Sequence, residues 1–377
     1  MTTEFLDAAR RLEPMVATLR DRFDADRRLP RQLVDALHAA GLFRMWLPRA
    51  LGGAELPPLE FLHVIEELSR QDGSVGWCTV IPAGYARLSG ALEQDVARMI
   101  FGTGKGLLVG TLNPTGTATS VPGGYRVTGR WSYGSFIGYG DWVLGNCRID
   151  SSPQFRLCLF PRADVEVFDI WHVGGLRATG SNDYQVTDVF VPEQHTIPLV
   201  DFQPPPRRPG PLYAVPMTST FVSCIATVAL GIARAAIESL IAIGADKKTA
   251  GSPTVLRDKP MAQADLARAE ALLGAGRAYL FSELRSMWDD AVAGRAVSLS
   301  ARAAVRLAAC HATQCAIQAV DTVYQSAGGA ALFQDNRLER CLRDVHVAGQ
   351  HVAVNLPANL EPVGRVLFGL PPGLARF

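Results

Sequence analysis

The chain has 377 residues, of which 48% are hydrophobic and 19% charged, and its formal net charge is +1. This composition supplies ample material for an apolar core, which excludes a disordered chain, and the near-zero charge argues against nucleic acid or an anionic membrane as a partner. The seven cysteines are odd in number, scattered and without a CxxC pair, so we expect buried free thiols instead of a metal site or a disulfide framework.

The sequence also predicts no membrane span and no secretory signal. The longest apolar run, from Phe221 to Ile232, is shorter than the roughly 18–20 residues that a membrane helix needs and is typical of a buried helix. The first residues, Met1 to Glu4, do not form a basic region followed by an apolar stretch. A cytoplasmic protein is therefore expected, with two or three domains or one composite unit.

Residues 1–104 have the pattern of an all-helical domain. Apolar residues recur at helical spacing from Glu4 to Phe23, which predicts a first helix. Proline at the start and glycine after the end mark a second helix, from Pro30 to His38. Three further helices are predicted in this domain: Pro58 to Arg70, Val75 to Leu88, and Glu93 to Ile100.

Residues 105–202 change to short β-rich runs separated by turns that contain glycine, serine, proline and asparagine. Regularly spaced short strands with no helices between them predict a small antiparallel barrel or sandwich. The expected strands are Leu107–Leu112, Tyr125–Trp131, Trp142–Arg148, Phe155–Pro161, Val165–Trp171 and Tyr184–Phe190.

The rest of the chain is helical again, after a stiff, proline-rich connector at residues 203–212. Alanine-rich helices with apolar stripes are predicted at 214–244, 257–293, 297–327 and 337–355. Helices of this length pack as a four-helix bundle, which here spans residues 213–377. The fold class is therefore α+β and mostly α, in the order helical domain, β-domain, helical bundle.

A stretch near the end of the chain has the strongest chemical character. His346 and His351 lie among small and apolar residues, and Gly328-Gly329 precede them. Histidine is the side chain most easily tuned to move a proton near neutral pH, and a glycine pair lets a backbone approach a ligand closely. A functional site is therefore expected against this stretch.

Short motifs follow one another along the chain: Ala50 to Glu55, Gln71 to Trp77, Tyr125 to Trp131, Gly174 to Asp183, Val189 to Pro192, Gln325 to Gly329, and Leu338 to Asp344. Their order and spacing, together with the order of the three regions, resemble the acyl-CoA dehydrogenase superfamily across nearly the whole chain. The resemblance implies the fold of that superfamily: an N-terminal helical domain, a small central β-barrel and a C-terminal four-helix bundle.

The chain departs from the dehydrogenases of this superfamily at the position of their catalytic base. They carry a glutamate after the Arg-Asp segment, in a Tyr-Glu-Gly-Thr context, and the matching positions here are His351 and Val352. Other members hold the glutamate on the first bundle helix, but no glutamate occurs between Glu193 and Glu238. Abstraction of a weakly acidic α-proton needs a carboxylate in the pocket, which valine cannot supply.

The segment Arg343-Asp344-x-His346-x-x-x-Gln350-His351 instead resembles the flavin-dependent monooxygenase branch of the same superfamily. That resemblance implies the oxygenase component of a two-component system, in which reduced FMN or FAD from a separate flavin reductase reacts with O2. The resulting C4a-hydroperoxide hydroxylates an aromatic carbon or oxidises a nitrogen or sulfur centre of a small-molecule substrate. It also implies a homotetramer built as a dimer of dimers.

The β-domain motif of this branch, Trp-x-Phe-x-Ser-Gly-x-x-His followed by Asp-Trp, is matched in part. Trp131, Tyr133 and Ser135 fall in place, but Phe136 replaces the glycine and Tyr139 replaces the histidine. These two replacements affect the expected identity of the substrate more than the expected reaction.

The resemblance assigns roles residue by residue. His351 and Ser135 are the candidate catalytic residues. The candidate cofactor contacts are Leu112, Asn113, Trp131, Tyr133, Ser135, Lys247, Lys248, Gln325, Gly328, Gly329 and Gln350. The candidate substrate contacts are Trp77, His63, Tyr85, Tyr139 and His346, and no metal is expected. Core packing is the alternative for the aromatic and histidine residues. A solvated loop is the alternative for the lysines, since the family's following Phe-Gly is Ala250-Gly251 here.

Two other classes of function stay open at this point. One is a dehydrogenase or oxidase acting on an acyl thioester or a related bond, with its base supplied from a different position. The other is a non-catalytic relative that keeps the fold as a binding or structural subunit.

Overall fold

A β-sheet in the middle of the chain is flanked in sequence by two sets of helices, so the predicted order of the three regions is confirmed. The computed structural model describes residues 2–102, 106–150, 152–248, 254–374 and 376–377. The predicted boundary at 104–105 and the Ala250-Gly251 pair lie outside the described residues.

Six helices form the N-terminal region: α1 (Thr2–Arg11), α2 (Glu13–Asp26), α3 (Arg31–Ala39), α4 (Pro58–Gln71), α5 (Gly73–Tyr85) and α6 (Gln94–Phe101). The single helix expected from Glu4 to Phe23 is instead the pair α1 and α2. The reason is Pro14 in the first turn of α2, which has no N–H to continue the helix and whose ring crowds the preceding turn. Asp72 begins α5 by accepting a hydrogen bond from the Ser74 N–H at 2.9 Å. The chain then continues from α5 into a 3-10 turn over Ala86–Ala91.

In the described part of the chain seven strands form one sheet: β1 (Leu108–Val121), β2 (Gly124–Gly134), β3 (Trp142–Ile149), β4 (Phe155–Pro161), β5 (Glu166–Phe168), β6 (Asn182–Pro192) and β7 (Thr196–Leu199). Their order is β5-β6-β2-β1-β3-β4-β7. The prediction of a wholly antiparallel sheet is wrong for one pair, because β1 and β3 are parallel. β1 and β2 form a hairpin, and the chain then crosses to the other side of β1 before β3 begins. β7 was not predicted, since four residues are too few to show an alternating pattern.

The described residues of the C-terminal region form a short helix and five longer ones: α7 (Pro211–Ala214), α8 (Met217–Asp246), α9 (Pro260–Val292), α10 (Leu299–Ala327), α11 (Arg337–Gly349) and α12 (Leu356–Leu367). By length and composition α8 could cross a membrane, with a mean hydropathy of 1.8, yet 89% of that window is buried within the protein. The expectation that no run is long enough is corrected, because a core helix packed by α4, α10 and α11 is apolar on nearly every side.

The predicted helix 337–355 is two helices with a turn between them. α11 ends at Gly349 and α12 begins at Leu356. Asn355 caps α12 by accepting a hydrogen bond from the Ala358 N–H at 3.2 Å, and Pro357 in the first turn cannot continue a helix from upstream. The break leaves His351 in the turn. All seven cysteines are buried, as predicted.

Candidate functional site

His351 lies between the N-terminal helices and the C-terminal bundle. Its ring packs on Trp77 of α5, with the ring centroids 5.8 Å apart in an edge-to-face arrangement. On its other side the Phe221 ring of α8 has its centroid at 5.5 Å. The interruption between α11 and α12 therefore positions this imidazole between the N-terminal helices and the bundle.

His351 is a neutral imidazole with its proton on Nε2. The Ala353 N–H donates to Nδ1 at 3.2 Å, so Nδ1 is an acceptor and Nε2 carries the hydrogen. Burial, with a smaller contribution from the Arg376 guanidinium, lowers the pKa of His351 to about 4. At neutral pH the side chain is therefore a hydrogen-bond donor through Nε2 and a weak base.

Trp77 links His351 to Ser135, the other candidate catalytic residue. The Trp77 indole N–H donates to Ser135 Oγ at 3.0 Å, and both side chains are buried. The sequence placed these residues on three separate regions. The structure brings them together as one Trp–Ser–His cluster.

A chain of hydroxyl groups continues from Ser135, and its direction is fixed at the far end. The Thr179 hydroxyl donates to the Leu176 carbonyl at 2.8 Å, so Thr179 Oγ1 must accept from Ser181 at 2.7 Å. Since this uses the proton of Ser181, Ser135 must donate to Ser181 Oγ at 2.8 Å. Ser135 therefore keeps no free proton, but it keeps one lone pair beside the bond that it accepts from Trp77.

Residues 174–181, which carry these hydroxyls, are pinned to α11. Arg343 donates to the Gly174 carbonyl at 2.7 Å, and the Leu176 N–H donates to Asp344 Oδ1 at 2.6 Å. A Cβ on Gly175 would lie 2.3 Å from the Arg343 carbonyl oxygen, so only glycine allows this approach. The Arg-Asp motif and the Gly-Gly-Leu-Arg-Ala-Thr-Gly-Ser motif are thus two halves of one contact.

The backbone around the hydroxyl chain is held in uncommon conformations. Tyr133, Phe136 and Leu176 all have positive φ angles, of 66°, 62° and 49°. Bulky residues rarely adopt this region, and such strain is concentrated at functional sites when the surrounding structure enforces it.

A narrow apolar cavity adjoins the cluster through Phe221. It is lined by Trp46, Val80, Ile81, Gly84, Tyr85, Arg87, Leu112, Met217, Thr220, Phe221 and Cys224. Its volume is about 20 Å³, which is room for about one water molecule, so a larger ligand requires its walls to separate. Two predicted residues, Tyr85 and Leu112, therefore lie at one cavity with Phe221.

The predicted cofactor segment at Leu112-Asn113 lies in an irregular part of β1. The pairing of β1 with β3 shifts register between Thr111 and Gly116, which releases the intervening backbone from the ladder. Asn113 Oδ1 accepts a hydrogen bond from Arg376 at 3.0 Å, so the end of the chain reaches this segment.

The predicted residues of the bundle form a second group at the end of α10. The Lys247 amino group donates to the Ala327 carbonyl and lies 3.8 Å from the position of a Cβ on Gly328. Gly328, Gly329 and Gln325 are exposed beside it. Lys248 and Gln350 are exposed as well, and Gln350 follows directly on α11.

Trp131 does not present a face to the cluster. Its side chain is 0% exposed and packs between Tyr184 and Phe160, with its N–H donated to the Asn146 carbonyl at 2.9 Å. Tyr133, two residues on, is 62% exposed. Core packing is therefore the outcome for Trp131, whereas Tyr133 is open to a ligand.

Three predicted substrate residues lie away from the cluster. His63 faces α9, with Nδ1 3.2 Å from an Arg277 nitrogen and its ring 5.0 Å from that of Phe281. His346 is exposed, and its Nε2 lies 2.8 Å from Asp321 Oδ1 on α10, because it stands on the opposite face of α11 from the buried contacts. Tyr139 donates its hydroxyl proton to the Leu29 carbonyl and lines a separate polar cleft with Arg27 and Asn182.

Four residues of the site were not anticipated from the sequence: Trp46, Arg87, Phe221 and Arg376. A charged residue inside the apolar stretch Tyr85-Ala86-Arg87-Leu88 is a signal that could have identified Arg87. The other three carry no local pattern, and only the folded chain brings them to the site.

The order of the regions and the way they meet around His351 define the acyl-CoA dehydrogenase fold. Family models agree: the N-terminal domain model of acyl-CoA dehydrogenase matches residues 2–88, and the C-terminal domain model matches residues 223–356.

Characterised relatives narrow the class of protein to which this chain is similar. The chain is 29% identical to an indole-3-acetate monooxygenase of Pseudomonas putida, across 96% of this chain and 94% of that protein. It is 30% identical to a pigment production hydroxylase of Rhodococcus erythropolis, across 86% of each chain. It is 29% identical to the flavin-dependent monooxygenase oxygenase subunit HsaA of Rhodococcus jostii, across 96% of this chain and 98% of that subunit.

Solved structures give the same result. The 3-HSA hydroxylase from Rhodococcus sp. RHA1 superposes with a TM-score of 0.92 at 27% identity, covering 99% of both chains. XiaF from Streptomyces sp., solved with FADH2 and glycerol, has a TM-score of 0.93 at 26% identity, covering 99% of this chain and 97% of that one. The chain belongs to the acyl-CoA dehydrogenase superfamily, in its branch of flavin-dependent monooxygenase oxygenase components.

Proposed function

We propose that this protein is the oxygenase component of a two-component flavin-dependent monooxygenase that hydroxylates a small aromatic substrate. The observation that carries the proposal is the residue pair at the dehydrogenase base position. Val352 is there in place of a glutamate, and its neighbour His351 is a neutral hydrogen-bond donor against the Trp–Ser–His cluster. Relatives named for indole-3-acetate and resorcinol support an aromatic substrate.

The cluster fits a reduced flavin. Ser135 has a free lone pair and no free proton, so it matches the N5–H of a reduced flavin better than the unprotonated N5 of an oxidised one. The exposed ring of Tyr133 and the released backbone at Leu112-Asn113 suit a flat ring system. Reduced FMN or FAD would supply the two electrons that activate O2, so that one oxygen atom enters the substrate and the other leaves as water.

His351 donates a hydrogen bond from Nε2 to an oxygen atom at the reacting centre. With a pKa of about 4 it is too weak a base to take a proton from a phenolic substrate at neutral pH. The role proposed for His351 is therefore that of a hydrogen-bond donor and not that of a base. Trp77 and the hydroxyl chain hold Ser135 in place, and the apolar walls exclude water from the reaction.

The dehydrogenase alternative lacks a base. Among the described residues, neither aspartate nor glutamate lines the cavity beside Phe221. The nearby buried carboxylates of Asp72 and Asp344 are already engaged: Asp72 lies 3.8 Å from Arg20 and 3.7 Å from Arg340 and accepts from the Ser74 N–H, and Asp344 accepts from the Leu176 N–H.

A flavin reductase and a second copy of the chain are the proposed partners. The oxygenase-component names of the relatives support a separate reductase. Leu332 and Phe333, each 67% exposed, follow the exposed Gly328-Gly329, which supports burial of this segment by another subunit in a homotetramer. Light scattering on the purified protein at micromolar concentration measures the assembly, and a monomer would contradict it.

Stopped-flow mixing of the protein and reduced flavin with oxygenated buffer tests the proposal. A long-lived absorbance band of a C4a-hydroperoxide, followed by product that depends on both O2 and a reductase, is the expected result. Bleaching of bound oxidised flavin by an acyl-CoA without oxygen would identify a dehydrogenase instead. Failure to bind either form of flavin would leave the non-catalytic class.

A further inference from the structure

One end of the apolar cavity contains a hydrogen-bond donor without an acceptor and a positive charge without a counter-charge. Trp46 lines this end, is 2% exposed, and stacks on Phe61 with the ring centroids 3.9 Å apart. Its indole N–H is buried and has no hydrogen-bond partner among the described residues. Buried donors are nearly always paired, so an unpaired one at a cavity wall indicates a ligand acceptor.

Arg87 lies beside Trp46 and brings a buried positive charge to the same end. It is 6% exposed, and its guanidinium carbon is 5.9 Å from the centroid of the Trp46 ring. It donates to Thr220 Oγ1 at 2.7 Å and to two backbone carbonyls, of Leu212 at 2.8 Å and Val215 at 2.9 Å. All three partners are neutral, and none of the described carboxylates forms an ion pair with Arg87.

The hydrogen bonds of Arg87 hold two segments of the chain together, but they provide no negative charge to balance the guanidinium. They tie the chain before α8 to the 3-10 turn after α5. Burial without a counter-charge lowers the pKa of this guanidinium to about 10. A buried cation is normally paired, so the structural use alone does not account for a charge at the wall of an apolar cavity.

The cavity extends from these donors towards the reacting centre. Phe221 lines it and packs on His351 with the centroids 5.5 Å apart. Along α5, Trp77 of the cluster precedes Tyr85 of the cavity by about 12 Å of helix axis. A bicyclic aromatic ring with a short side chain would span much of that distance once the walls of the cavity separate to admit it.

We propose that the Trp46–Arg87 end of the cavity binds the carboxylate of an aromatic acid substrate, whose ring lies along Tyr85 and Phe221 towards His351. The proposal deepens the proposed function and rests on it for the identity of the reaction. A carboxylate accepts from both donors at once, balances the guanidinium charge, and keeps the ring in the apolar part of the cavity.

Binding without flavin tests the site apart from the reaction. Indole-3-acetate and its neutral isostere indole-3-acetamide are titrated into the flavin-free protein by calorimetry at pH 7.5. The acid should bind more tightly than the amide by about tenfold or more, since hydrogen bonds to a charged group are worth that much. Equal affinities, or tighter binding of the amide, would overturn the proposal.

Two variants test whether Trp46 and Arg87 cause the preference for the acid over the amide. Trp46→Phe keeps the stacking on Phe61 and removes the N–H, so the acid-to-amide ratio should fall several-fold. Arg87→Gln should bring the ratio to about one. Arg306→Gln is the matched control, because Arg306 is a buried guanidinium with a pKa lowered to about 10, bonded to Asn359 and the Arg376 carbonyl, and it does not line the cavity. Its ratio should stay at the wild-type value.

The outcomes decide between this proposal and the proposed function. If Arg87→Gln does not fold, Trp46→Phe decides, and a wild-type ratio in that variant refutes the site. If the acid binds selectively but no hydroxylated product forms with reduced flavin and O2, the site holds and the monooxygenase assignment fails. If a product forms from the amide as efficiently as from the acid, the monooxygenase stands and the carboxylate site fails.

Discussion

Gly84→Ala should raise the free energy of unfolding and at the same time weaken substrate binding. Gly84 lies in the last turn of α5 at the wall of the cavity, and no heavy atom lies within 4 Å of the position of its Cβ. Alanine is favoured over glycine inside a helix by about 0.8–1 kcal/mol, and its methyl group would occupy space that is now open. A gain of about 1 kcal/mol is expected.

Gly76 offers a matched control in the same helix. A Cβ on Gly76 would lie 1.9 Å from Ser69 Oγ and 3.0 Å from Ser69 Cα. Ser69 is itself buried and bonded to the Ile65 carbonyl at 2.7 Å, so it cannot yield freely. The same substitution at Gly76 should therefore lower the free energy of unfolding by about 1–3 kcal/mol, in spite of the same helix preference.

Urea unfolding followed by circular dichroism measures both changes, at one protein concentration and without flavin, because bound ligands and partner subunits shift the midpoint. The urea midpoint is expected to be highest for Gly84→Ala, intermediate for the wild type and lowest for Gly76→Ala. A Gly84→Ala protein less stable than the wild type would refute the open cavity wall, and an unchanged Gly76→Ala protein would refute the tight α4–α5 contact.

Four further predictions concern the cluster and its supports. His351→Ala should lose most hydroxylation activity while folding normally, whereas His351→Gln should retain part of the activity because glutamine keeps an N–H donor. Full coupled activity in the alanine variant would exclude a catalytic role for His351. Because the folded pKa of His351 is about 4, below its ordinary value of 6.5, only the unfolded chain takes up this proton as pH falls from 6.5 towards 4. Wild-type stability should therefore fall more steeply than that of His351→Gln as pH falls from 6.5 to 4. Urea midpoints that change equally in the two proteins over this range would contradict the lowered pKa of His351. Burial, reinforced by Asp72, raises the pKa of Asp344 to about 7 from its ordinary value of 3.8, so only the unfolded chain gives up this proton as pH rises from about 4 to 7, and stability falls across that window. Asp344→Asn should therefore gain on the wild type between about pH 4 and 7, and Asp344→Ala should be less stable than Asp344→Asn by about 1–3 kcal/mol because the Leu176 N–H loses its acceptor. Thr179→Val removes the acceptor of Ser181 and should increase the fraction of O2 released as H2O2 in a coupled assay, whereas wild-type coupling would show that the hydroxyl chain is dispensable.

The contact between α11 and residues 174–181 explains how distant motifs cooperate. Arg343 and Asp344 hold the backbone that carries Thr179 and Ser181, and those hydroxyls fix the proton of Ser135. The turn after α11 carries His351. One helix therefore positions both candidate catalytic residues, one directly and the other through a chain of hydrogen bonds.

Much of this protein was determined by its sequence alone. Apolar spacing predicted most helices of both helical regions, although it merged α1 with α2 and α11 with α12, and alternation with turn residues predicted six of the seven described strands, because these patterns reflect local geometry. The order of motifs indicated the superfamily. The replacement of a glutamate by Val352 beside His351 indicated the branch, because the chemistry of a base depends on its side chain.

Only the tertiary structure decided which residues meet and which face they present. Strand alternation places Trp131 and Tyr133 on one face, but the register shift between Trp131 and Gly134 in the β2–β6 pairing separates them, so one is core and the other exposed. His346 and His351 lie close together in sequence, but the break after Gly349 divides them between a surface contact with Asp321 and the cluster. Trp46 and Arg87 share no motif, because an unpaired donor and an unbalanced charge are properties of the surrounding fold and not of neighbouring residues.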